Sequence, residues 1–228
     1  HLASSAASDV YKRQVYMFEM INQECFFVPY HRFINVFNQF LPILGIHLHL
    51  PTNVLILLYS INIQLVFTAI FIVIAFVLQQ KKLALSIPLL QLMLCFESFY
   101  LPISELALGI AFLILLIAYK NSISKPLSVP QKLLFLLLGF ILIFSHPLII
   151  IPIAIILFLE VMKTEWKGLI SNQFFLFLGS ILAAIILLKL VAFQTYEAER
   201  SSDLISSIFS FSKYELVTSF YSISKYIL

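Results

Sequence analysis

The chain has 228 residues, of which 61% are hydrophobic, 15% aromatic and only 11% charged, with a formal net charge of +3. Ordinary soluble domains carry roughly 25% charged residues, and a domain with far fewer would expose large contiguous apolar patches. The composition argues against a soluble enzyme, a nucleic-acid binder or a disordered chain, and predicts an all-α, polytopic transmembrane bundle whose solvent is the lipid bilayer. Two cysteines, Cys25 and Cys95, make neither a disulfide framework nor a metal box.

Residues Ser4 to Gln14 read SSAASDVYKRQ. This run is similar to the in-frame translation of a transposase adaptor used in preparing sequencing libraries, so residues 1–14 are set aside as non-native. Residues 15–228 are then expected to be a fragment of one transmembrane domain, with native chain missing at both ends.

From Tyr30 to Leu50, Phe33, Val36, Phe37, Phe40, Leu41 and Leu44 recur at helical spacing, with Arg32, Asn35 and Gln39 on another face. The pattern predicts an amphipathic helix lying in the outer membrane interface, disturbed at Pro42. A hydrocarbon core of about 30 Å needs about 20 apolar residues in a helix. Val54–Leu78 satisfies this and ends on Gln79-Gln80-Lys81-Lys82, and Leu169–Leu188 is a second clear span. Between them, Leu83–Leu101 and Ser104–Tyr119 flank a polar joint from Glu97 to Glu105. Lys132–Ser145 and Leu148–Met162 flank His146-Pro147. One helix through residues 133–162 would run about 45 Å, longer than the core, so hairpins of short helices are expected, about six membrane helices in all. Pro88 and Pro152 are expected to kink their helices. Hairpins gather Lys81, Lys82, Lys120, Lys125, Lys132, Lys163 and Lys167 on one side. That side reads as cytoplasmic, which makes the chain a multi-pass protein of the cytoplasmic (inner) membrane. Leu204–Leu228 reads as a second interfacial stretch.

The opposite side collects Glu19, Glu24, His31, Arg32, Glu97, Glu105 and His146, followed by Glu197, Glu199, Arg200 and Asp203. An ionisable group deep in a bilayer costs roughly 2.5–3.5 kcal/mol on insertion scales, so such residues are expected to line an outward-facing cavity. The alternative is that they sit among headgroups and merely end helices. Glu24 and Arg32 are the sharper pair, a carboxylate able to act as general base and a guanidinium able to hold phosphate. Their bland reading is a solvated acid and an arginine on lipid headgroups. His47 and His49 point about 200° apart on a helix and have no third ligand at a recognisable spacing, so no metal is expected. Asn62, Gln64 and Gln91 read as inter-helix hydrogen-bond partners. No Walker loop, Rossmann glycine pattern, HExxH or nucleophile elbow is present, and no cofactor is expected.

The stretch Glu24-Cys25-Phe26-Phe27-Val28-Pro29-Tyr30-His31-Arg32 precedes the amphipathic helix and the span beginning at Asn53. The turn Phe144-Ser145-His146-Pro147-Leu148 follows later. In layout this resembles the GT-C class of polytopic membrane glycosyltransferases, and also bacterial multi-helix membrane proteins of no assigned activity. The resemblance implies transfer of a sugar from a polyprenyl-phosphate donor at the outer face of the membrane. Glu24 would take the acceptor's proton and Arg32 or His31 would steady the departing phosphate, with Glu97, Glu105 and His146 also contacting substrate. The class often has Asp on this loop where the present chain has Glu24. The rival reading is a non-enzymatic membrane protein, a transporter component or a structural subunit. An enzyme predicts polar groups converging on one outer pocket, whereas a transporter predicts a path reaching both sides.

Overall fold

The computed structural model describes residues 15–29, 32–97, 105–123, 128–163 and 173–191, and among them every regular element is helical, with no strand. Residues 15–23 form α1. There follow α2 (Asn35–His47), α3 (Thr52–Ile72, prolonged by a π-helical turn Val73–Val77), α4 (Lys81–Ala84), α5 (Ser86–Glu97), α6 (Glu105–Ser122) and α7 (Val129–Ile143). A 3-10 turn (Pro147–Ile149) leads into α8 (Ile150–Lys163), and α9 (Gln173–Val191) closes the described part. The chain divides into two compact units, His1–Ile185 and Ile186–Leu228. Of the second, only the last residues of α9 are described.

Local chemistry explains most of the boundaries. A proline has no N–H to donate and its ring clashes with the carbonyl four residues back. Pro88 accordingly sits in the first turn of α5, and α4 ends at Ala84. Pro152 sits in the first turn of α8, behind a 3-10 turn. Both prolines therefore sit in a first turn, where N–H groups have no intrahelical partner anyway, and the regular helix is interrupted just before each of them. Pro42 alone lies inside a helix, which continues through it. At the start of α7 the Gln131 side chain accepts the Ser128 backbone N–H at 2.8 Å, with Pro130 in the first turn. Beyond α1, Glu24 takes a left-handed φ of 50°, a conformation that commonly ends a helix.

Among the described residues, two stretches are long and apolar enough to cross a membrane, Thr52–Val77 (26 residues) and Glu105–Ser122 (18 residues). The first matches the expected span at Val54–Leu78. The apolar part of α9, Phe174–Leu188, is shorter than the span expected at Leu169–Leu188, as are Val129–Ile143 and Ile150–Met162.

The expected interfacial helix is realised differently. Asn62 Nδ2 donates to the Phe37 carbonyl at 2.7 Å, and Gly45 lies against Leu55 and Leu58. The later residue of α2 thus meets the earlier residues of α3, the signature of two antiparallel helices, so α2 folds back along the first half of α3. The face turned inward is the polar one. Asn35, Asn38 and Gln39 are buried together with Pro42, Ile43, Gly45 and Ile46. Phe40, Leu44 and Leu48 are 62%, 49% and 63% exposed. The amides of Asn35 and Gln39 bond to Glu105 and to the Phe27 backbone instead of facing outward.

α6 is the helix around which the core is arranged, with Ala107, Leu108, Ala111, Phe112, Leu113 and Leu116 buried. Gly109 admits the joint between α7 and α8, and a Cβ there would stand 3.3 Å from both Ser145 Oγ and Ile149 Cδ1. At the other end Tyr119 donates to the Gln131 carbonyl at 3.5 Å and Ser122 Oγ donates to the Leu78 carbonyl at 2.9 Å.

Candidate functional site

Glu105 is the first residue of α6, where the helix macrodipole favours a carboxylate. It is buried, and three side chains from earlier in the chain converge on it. Arg32 Nη1 donates to Oε2 at 2.5 Å, Asn35 Nδ2 to Oε1 at 3.0 Å and Tyr16 OH to Oε1 at 3.2 Å. The ion pair is 16% exposed on the arginine side and 8% on the glutamate side, so it is only weakly screened by solvent. Burial, followed by the Glu105 charge and its hydrogen bond, pushes the Tyr16 phenol well above its ordinary 10.0, which keeps it a neutral donor.

A second shell of contacts fixes the segment carrying Arg32. Gln39 on α2 clamps the backbone of Phe27 in both directions, accepting its N–H at 2.8 Å and donating to its carbonyl at 2.7 Å. The Phe27 ring meets Tyr16 edge-on at 5.4 Å. Phe33 packs on Phe144 at 5.4 Å and Phe37 on Phe112 at 4.9 Å, which ties α2 to α6 and to the end of α7. The Oδ1 atoms of Asn35 and Asn38 are buried without a hydrogen-bond partner among the described residues.

The hydrogen bond from Asn62 to the Phe37 carbonyl fixes the start of α2 against α3, and Asn35 links it in turn to Glu105 at the start of α6.

Of the residues singled out in the sequence, Arg32 and Glu105 are brought together. Glu24 is exposed and makes no hydrogen bond or ion pair among the described residues. His146 is half-buried, and its Nδ1 accepts the Leu148 N–H at 3.2 Å, which caps the 3-10 turn. Ser145 beside it lies against Gly109, one helical turn along α6 from Glu105. His31, the side chain of Glu97, and residues 192–228 lie outside the described residues. His47 and His49 are exposed, and no group of three or more His, Cys, Asp or Glu able to hold a metal occurs among the described residues.

Tyr16, Asn38 and the Gln39 clamp were not picked out as site residues. Asn35, Asn38 and Gln39 share a helix face at i, i+3 and i+4, which is the one sequence signal that could have found them. Comparison with protein-family models, curated proteins and solved structures finds no match.

Proposed function

We propose that the chain is a multi-pass integral membrane protein, with its lysine-rich loops cytoplasmic, and that its Arg32–Glu105 cluster serves a transporter component or structural subunit. The observation that carries the membrane reading is α2, which buries Asn35, Asn38 and Gln39 while presenting Phe40, Leu44 and Leu48 outward. In water both halves of that arrangement are unfavourable. In lipid both are favoured, because amides must find partners within the protein and apolar side chains have no reason to hide. Leu133, Leu136, Ile151, Ile155 and Phe158 are likewise exposed on α7 and α8. Washing membranes with alkaline carbonate tests this directly. The protein is expected to stay in the pellet, and its release into the wash would end the membrane reading.

The choice of activity class rests on the ion pair. Arg32 is held by Glu105, and Glu24 stands apart from both, so a base and a phosphate-holding arginine do not face one another. Ionisable groups buried in a membrane bundle pair with one another and often mark transport paths, because a charge left alone in lipid would be costly. Full-length protein supplied with polyprenyl-phosphate sugars is expected to show no transfer. Transfer that disappears in Glu24→Gln would restore the glycosyltransferase reading.

A further inference from the structure

We infer that the face of α3 centred on Gln64 is a contact surface for a second copy of this chain. The inference rests on the membrane reading above. Gln64 stands midway between Thr52 and Val77, about 18 Å along the helix from either end, and so near the centre of the bilayer. It is exposed, and its Oε1 accepts one hydrogen bond from Gln91 Nε2 on α5 at 2.8 Å. Both Gln64 N–H donors and the Gln91 Oε1 take no partner among the described residues. Thr68, one turn further along the same face, is exposed as well, and Leu57 and Ile61 continue the strip. Water would satisfy these groups at a soluble surface, but at this depth lipid offers nothing, so a protein partner must bring both donors and acceptors.

A second copy meets that requirement because a carboxamide is self-complementary. Two copies inserted with the same topology are related by a two-fold axis along the membrane normal, so residues of equal depth face one another. Gln64 then meets Gln64, and the strip at Leu57, Ile61 and Thr68 packs against its own counterpart. The Arg32–Glu105 cluster differs in being buried within one chain, so it is not open to a partner.

The test is cysteine cross-linking of the full chain in membranes, with Cys25 and Cys95 replaced by alanine. Leu57→Cys and Thr68→Cys are each expected to give a disulfide-linked homodimer on oxidation. Ile155→Cys and Phe158→Cys on exposed positions of α8 are expected to remain monomeric. Adding Gln64→Leu to Thr68→Cys is expected to lower the cross-link yield at least about fivefold through loss of the shared hydrogen bonds. Monomer at both α3 positions, yields equal to those on α8, an adduct with a different protein, or indifference to Gln64→Leu would each overturn the inference. Carbonate resistance without cross-linking defeats this inference alone, whereas carbonate release defeats the membrane reading beneath it.

Discussion

The two ends of α6 are held by opposite kinds of contact. At Glu105 the helix is fastened by charge and hydrogen bonds from Tyr16, Arg32 and Asn35. Toward Ser122 it is fastened mainly by rings and methyl groups. Tyr119 packs on Phe135 at 5.2 Å, Phe135 on Phe177 at 5.5 Å, and Lys120 lies over Phe174 at 4.8 Å. The difference teaches how each end fails. A buried polar cluster is balanced, so removing one member leaves the others desolvated and unpaired. An apolar contact loses energy in proportion to the volume removed or forced in.

The largest effect is therefore expected from Glu105→Ala, which leaves a guanidinium, an amide and a phenol without their acceptor. It should destabilise the detergent-solubilised protein by about 3–5 kcal/mol, and Arg32→Met combined with Glu105→Leu should recover most of that. A thermal or denaturant unfolding series on the two variants checks it. A loss no larger than that of an ordinary surface change would erase the contrast between the ends.

At the apolar end Gly139→Val is expected to cost about 1–3 kcal/mol by overpacking. A Cβ at Gly139 would stand 2.8 Å from Phe177 Cζ and 3.3 Å from Ile181 Cδ1. Trimming the obstacle with Phe177→Leu in the same chain should return part of the stability. Failure of that rescue would mean that α7 and α9 are not set by shape.

A smaller effect belongs to Tyr16→Phe, about 1–2 kcal/mol for the lost hydrogen bond to a carboxylate. Its pH dependence has a definite sign. The folded state raises the Tyr16 pKa above the ordinary 10.0, so its contribution is complete below that value. It is lost as the pH climbs above it and the unfolded phenol ionises first. Phenolate absorbance during alkaline titration should show a late-titrating component in the native protein that is smaller in Tyr16→Phe.

Smallest of all is Gly179→Ala on α9, where a Cβ meets nothing within 4 Å. It should leave stability unchanged or raise it by about 0.5–1 kcal/mol through the higher helix propensity of alanine. A clear loss would reveal a close neighbour on that face.

Much of the fold was legible in the residues. The apolar run at Val54–Leu78 reappears as α3 with its π-helical turn, and the break at His146-Pro147 as the end of α7 and a 3-10 turn, because runs and breakers act over a few residues; the joint between Glu97 and Glu105 lies outside the described residues. The prolines act equally locally, each just after an interruption of the regular helix. Pro88 and Pro152 can sit in a first turn as readily as they can kink an interior, and spacing does not distinguish the two. The candidate site was half legible. Arg32 and Glu105 both stood out as ionisable groups in an apolar chain, but they are 73 positions apart, and no periodicity links residues at that separation.

Amino-acid order alone determined that the described chain is helical and where its long apolar runs lie. Tertiary structure decided which face of α2 turns inward and that Arg32 is neutralised by Glu105. It also decided that Glu24 stands outside their cluster. A helical stripe of amides and a stripe of phenylalanines recur at the same spacing whatever surrounds them. Which stripe is buried depends on what the neighbouring helices offer as hydrogen-bond partners, and those neighbours are assembled only by the folded bundle.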